Sequence, residues 1–129
     1  MARTSINVQY PTSDATDTIQ TLKPTTTAIV QADGAIINNA FGCKDNTLTI
    51  VISNTAESAL DVTFKKGVYP NAVLGDLTFE VAASSTVLVK IENPSRLEQA
   101  DGSLLVDFET GFTGTIYATG KRAGLKPVI

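Results

Sequence analysis

The 129-residue chain contains no histidine and no tryptophan, a single cysteine, and only 6% aromatic residues. Without histidine there is no imidazole general base. There are also no imidazole metal ligands and no Ser-His or Cys-His nucleophile pair. One cysteine, Cys43, rules out an internal disulfide framework, so nothing calls for an oxidising compartment. Cys43 reads as a small packed hydrophobe, although Lys44 beside it is of the kind that activates a thiolate. Scarce aromatics argue against a sugar-binding platform. No apolar run is long enough to cross a bilayer. The opening residues, Met1 to Val8, lack the apolar stretch of a signal peptide, so the expectation is synthesis in a cytoplasm. Asn93-Pro94-Ser95 is disqualified as a glycosylation site by its proline.

Hydrophobic residues make up 43% of the chain, enough for one packed core in a domain of this length. The formal net charge is −3 and the pI about 4.8, which argues against nucleic acid and anionic membrane as partners. The dominant pattern is alternation of apolar and polar residues, the signature of strands with one dry and one wet face. It recurs in Thr47–Ser53, Leu60–Lys65, Leu77–Val81, Ser85–Glu92, Leu104–Glu109 and Thr115–Ala118. Between these runs lie turn signals: Asn54–Ser58, Lys66 to Asn71, Leu74-Gly75-Asp76, the short Ala82-Ala83-Ser84 link, Asn93-Pro94, Asp101-Gly102 and Thr110-Gly111. Ser95–Gln99 suits one helical turn.

Strands every 8–12 residues with such turns predict an all-β fold. The expected form is a single antiparallel β-sandwich, jelly-roll or Ig-like, of about seven or eight strands. Residues 1–27 read as an extended N-terminal arm with room for one short strand over Ser5–Tyr10, 28–120 as the sandwich, and 121–129 as a tail. The arm is either free or ordered only against a partner. The expected core is Leu48, Ile50, Ile52, Val62, Phe64, Leu77, Phe79, Val81, Val87, Val89, Ile91, Leu104, Val106, Phe108 and Ile116.

Carboxylates are plentiful, but most fall on wet faces or in turns. Asp14 to Asp17 and Asp101-Gly102-Ser103 lack the regular oxygen spacing and terminal glutamate of a calcium loop. Gly111-Phe112-Thr113-Gly114 lacks the lysine and helix of a phosphate loop. The expectation is a protein that is not an enzyme and uses no cofactor and no metal. A small hydrolase using Asp107 or Glu109 is the weakest alternative.

A longer pattern runs from Asn46 to Tyr117. It comprises Leu48 to Asn54, Leu60 to Gly67, Leu74-Gly75-Asp76-Leu77, Val81 to Ser85, Asn93 to Ser103 with its Arg96-x-x-Gln99-x-Asp101-Gly102 core, Val106-Asp107-Phe108, and Gly114-Thr115-Ile116. This order resembles the capsid decoration proteins of tailed bacteriophages, also called auxiliary or cement head proteins. The resemblance covers a little over half the chain. It implies a non-catalytic virion component on the outer capsid surface, made in the host cytoplasm, with the major capsid protein as partner. It also implies a homo-oligomer, with a trimer favoured because icosahedral shells offer threefold positions. On that reading the expected shell or neighbour contacts are Arg3, Ile6, Val8 and Tyr10 in the arm. Tyr69 in its loop and Lys121, Arg122 and Lys126 in the tail complete the set. A carbohydrate- or receptor-binding module of a phage fibre is the alternative of a different class.

Overall fold

The computed structural model describes residues 2–13, 16, 19–43 and 47–121. These form eleven strands: β1 (Thr4–Gln9), β2 (Thr12–Ser13), β3 (Gln20–Thr21), β4 (Thr27–Ala28), β5 (Ala35–Asn38), β6 (Thr49–Asn54), β7 (Leu60–Phe64), β8 (Leu77–Val81), β9 (Ser85–Val89), β10 (Leu104–Phe108) and β11 (Gly114–Thr119). One short helix, α1 (Pro94–Leu97), falls where the sequence suggests a helical turn.

The all-β expectation holds, but the antiparallel sandwich does not. Nine strands make one mixed, nearly closed sheet in the order β8-β7-β10-β5-β1-β11-β6-β9, with β4 added to β11. The departure comes from β1. Thr4 to Asn7 pair in parallel with Ala35 to Asn38 of β5, and Val8 and Gln9 pair in parallel with Ala118 and Thr119 of β11. The segment read as an arm is therefore an interior strand that stitches two halves of the sheet together. Its alternation is real: Ile6 and Val8 point into the core, 3% and 9% exposed. Periodicity reveals a strand but says nothing about its partner or its direction, because both are set by distant residues.

Inward-facing residues from all around the sheet fill the interior. Phe64, Phe112, Ile37, Leu48, Ile50, Ile52, Leu97, Leu104 and Ile116 are the largest fully buried side chains. Most of the expected core is buried, while Phe79, Val87 and Val89 pack against it half-buried and Leu77 is exposed. Leu97 of α1 stops one end of the interior. Cys43 is buried, and burial pushes its thiol up from the ordinary cysteine range.

The remaining gap lies between β8 and β9, the two ends of the strand path, which no backbone ladder joins. At one end of this seam the Ala82–Ser84 link brings them together, and Asn54 pins it. Its amide, 1% exposed, donates to the carbonyls of Ser58, Val81 and Ala82 at 3.1, 3.1 and 3.4 Å, and its Oδ1 accepts the Ala56 N–H at 2.9 Å. Gly114 allows the close packing beside it: a Cβ there would lie 1.8 Å from the Ser53 carbonyl oxygen, and its φ is +142°.

Two substitutions test this closure. Asn54→Ala strands buried carbonyls and the Ala56 N–H, so a loss of about 2–3 kcal/mol is expected in urea denaturation. Asn54→Asp keeps the acceptor but aims a carboxylate at the same carbonyls, and is expected to cost at least as much at pH 7. A loss below about 0.5 kcal/mol for the alanine variant would show that Asn54 does not hold the seam.

Candidate functional site: a braced apolar tip beside an open cleft

The chain between β7 and β8 carries Val68 and Tyr69, then a 3-10 turn over Pro70–Leu74. Proline at its first position presets φ, and the Ala72 and Gly75 amides close the turn onto the Tyr69 and Ala72 carbonyls at 2.8 and 2.9 Å. None of its residues is buried. Val68 is 60% exposed, Val73 88%, Leu74 59%, Tyr69 41% and the following Leu77 37%. Five of the eight large exposed hydrophobic residues among those described thus lie within ten positions, whereas scattered single ones are ordinary.

The segment 93–99, itself held by α1, braces this tip. Arg96 donates from Nε to the Gly75 carbonyl at 2.9 Å, and from Nη2 to those of Asp76 and Leu74 at 2.9 and 3.3 Å. Asn71 Nδ2 donates to Ser95 Oγ at 2.6 Å and Asn93 Oδ1 at 3.0 Å. Gln99 Nε2 donates to the Lys66 carbonyl at 2.9 Å. The Gly67 and Val68 amides reach the Arg96 and Glu98 carbonyls at 2.8 and 3.1 Å. Only glycine fits at 67, since a Cβ would sit 2.0 Å from the Glu98 carbonyl oxygen. Apolar side chains are therefore held in water on a fixed frame.

The far end of the seam opens beside the tip. Its cleft, of about 240 Å³, is lined by Phe64, Leu77, Val89, Ile91 and Leu97, with Lys90, Glu92, Asn93 and Arg96 at its polar parts. A charged chain runs below: Lys65 Nζ lies 2.8 Å from Asp76 Oδ2 and 3.9 Å from Asp107 Oδ2, and Arg3 Nη1 lies 2.6 Å from Asp107 Oδ1. The hydrogen bond from Lys65, with a second from the Lys66 N–H, holds the Asp76 carboxyl below the usual range, and the same bond raises Lys65.

The expected contact residues separate in space. Ile6 and Val8 are core, and Tyr10 packs half-buried against it. Arg3 is engaged: its guanidinium also donates to the Val106 carbonyl at 2.9 Å, tying the start of β1 to β10 across β5. These four do not form an exposed arm. Tyr69 stands on the tip, and Lys121 is exposed where its N–H donates to Thr47 Oγ1 at 2.7 Å. Arg122 and Lys126 lie outside the described residues, as do Asp14 and Asp17. Sequence reasoning missed Val68, Val73 and Leu74. The available signal was three aliphatic residues within a stretch broken by Pro70 and Gly75, where water-facing chain is expected.

The carboxylates considered for chemistry have other partners. Asp101 Oδ1 accepts the Ser103 N–H and Oγ–H at 3.1 and 2.6 Å, a turn closure that lowers its pKa, the hydroxyl first. Glu109 Oε1 accepts the Asp61 N–H at 2.8 Å. Among the described residues no group of three or more His, Cys, Asp or Glu is placed to hold a metal ion.

The Lys65–Asp76 pair gives a pH signature. Asp76 is depressed in the fold, so its contribution is complete above the unfolded aspartate value near 4 and fades as pH falls through the folded value. Lys65 is raised, so its contribution is complete below the unfolded lysine value near 10.4 and fades above it. Both side chains are about one-third exposed, which limits the pair to less than about 1 kcal/mol. Asp76→Asn is expected to lower the urea midpoint at pH 7, with wild type and variant converging as the pH falls through the folded Asp76 value. A gap that persists at acid pH would assign the effect to packing.

Comparison of this chain with family models, with curated proteins and with solved structures returns no match.

Proposed function

We propose that this chain is a structural virion protein that decorates and stabilises a tailed-phage capsid. It bridges neighbouring major capsid subunits on the outer surface as a homo-oligomer and carries out no catalysis. The observation that carries the reading is the braced apolar tip. Exposed apolar side chains on a fixed frame lose little conformational entropy when covered, which favours protein–protein contact. The sequence resemblance to decoration proteins supports the choice of partner. The two motif segments within it, Leu74 to Leu77 and Asn93 to Ser103, meet in space: Arg96 binds the carbonyls of Leu74, Gly75 and Asp76. These two segments thus build one feature, the tip and its brace.

Decoration works by repetition. A modest contact, made by many copies on one lattice, gives large avidity, and each bridge opposes separation of the subunits it joins. With Ile6 and Val8 committed to the core, the tip replaces the N-terminal segment as the principal contact surface. Lys121, Arg122 and Lys126 remain candidates for a secondary charged contact.

Mixing purified protein with undecorated capsids and sedimenting them tests the proposal. Wild type is expected to pellet with the shells. The double variant Val73→Asp, Leu74→Asp changes only exposed side chains, so it should melt like wild type while its occupancy falls at least about tenfold, as for loss of a hot spot. Failure of wild type to bind any capsid would remove the decoration reading. Undiminished binding by the double variant would remove the tip from it.

A further inference from the structure

The cleft at the open end of the seam is graded from apolar to charged. Its most buried lining residues are Phe64, Leu97 and Ile91, at 0%, 2% and 7% exposure. Leu77 of β8 and Val89 of β9 line it from the two unjoined edges. Phe64 is fixed by an edge-on contact with Phe79, their ring centroids 5.2 Å apart. The charged lining residues are Lys90 and Glu92, both exposed, and Arg96, half-buried. An apolar pocket with a few polar groups, set at the mouth of a curled sheet, is the usual build of a small-molecule site.

The charges select the sign of the ligand. Two cations against one carboxylate make the lining net positive, whereas the whole chain carries −3. Among the described residues neither cation pairs with a carboxylate. Lys90 Nζ donates to Thr49 Oγ1 at 3.1 Å. Arg96 donates through Nε and Nη2 to the carbonyls of residues 74–76, and its Nη1 has no partner among the described residues. Those carbonyls immediately precede Leu77, so they hold the guanidinium at the wall of the cleft. A half-buried guanidinium held only by neutral groups lacks a counter-charge, and its planar fork matches a carboxylate.

The volume sets the length of the apolar part. A cavity of about 150 Å³ takes up the six carbons of benzene, so about 240 Å³ holds on the order of ten heavy atoms. That is the size of octanoate.

We propose that the β8–β9 cleft binds a medium-chain alkyl carboxylate. The alkyl chain lies on Phe64, Ile91 and Leu97, and the carboxylate meets Arg96 with Lys90 nearby. The site is distinct from the capsid contact at the tip and does not rest on the decoration reading.

Titration of the full-length ¹⁵N-labelled chain with octanoate, followed by amide chemical shifts, tests it. Saturable shifts are expected at Leu77 and along Val89–Leu97, with a Kd between about 10 µM and 1 mM. 1-Octanol keeps the chain but not the charge, and should bind at least about tenfold more weakly. Butyrate keeps the charge but lacks four methylenes, each contributing a factor of about four when fully buried. It should also bind at least about tenfold more weakly. Leu77→Trp, at a position 37% exposed, fills the cleft and should weaken octanoate binding at least about tenfold with the melting temperature kept. No saturation below about 10 mM octanoate, shifts centred elsewhere, or octanol binding as tightly as octanoate would each overturn the proposal. Undiminished binding by a folded Leu77→Trp would do the same. The ligand series and the shift map decide on wild type alone, so they stand even if the variant fails to fold. A chain that binds no octanoate but still pellets with capsids overturns this inference and leaves the proposed function intact.

Discussion

Everything in this fold depends on a strand that pairs on both sides with neighbours running its own way. β1 gives its first four residues to β5 and its last two to β11. Among the described residues it is the connection between the β8-β7-β10-β5 half and the β11-β6-β9 half. Without it, two smaller sheets would each expose an apolar face and an edge, conditions under which isolated sheets are marginal. Arg3 reinforces the start of this strand from outside, through the Val106 carbonyl and Asp107. Burial of Ile6 and Val8 reinforces it from within.

Closure on the β1 side sets the geometry opposite. The sheet curls until β8 and β9 approach but do not pair, and the two ends of their seam are treated differently. At one end Asn54 fills the gap with directed hydrogen bonds, a satisfied polar group inside an apolar interior. At the other end the strands diverge, α1 plugs the interior with Leu97, and the cleft remains. The tip is braced by the segment containing α1, so the gap in the sheet and the exposed apolar surface share one support. The break in closure and the exposed apolar tip thus stand together at one end of the sheet.

The candidate site was partly legible beforehand. Tyr69 and its proline marked a loop able to present an aromatic ring, and Asn54, Arg96 and Gln99 belong to the longer pattern. What that pattern does is visible only in three dimensions. Asn54 ends a strand in any reading, yet its work is to satisfy carbonyls 27 and 28 residues away. Arg96 looks like a solvated charge within a helical turn, yet it anchors carbonyls more than twenty positions earlier. Leu77 fits strand alternation as a core residue and is exposed because it stands at the open end of the β8–β9 seam, where it lines the cleft, whereas Val81 at the other end of β8 is buried.

The sequence by itself determined that the chain is all-β, where most strands lie, which of their faces are dry, and that imidazole chemistry and an internal disulfide are absent. These are local or compositional properties: alternation acts between neighbours two residues apart, and a missing residue type is missing everywhere. Tertiary structure alone decided which strands meet, that β1 is interior and parallel to both neighbours, and that the sheet stops just short of closing. It also decided that Val68, Val73 and Leu74 stand in water beside a cleft. Those outcomes depend on pairings between distant residues, whose energies appear only once the chain is folded, so no window of sequence contains them.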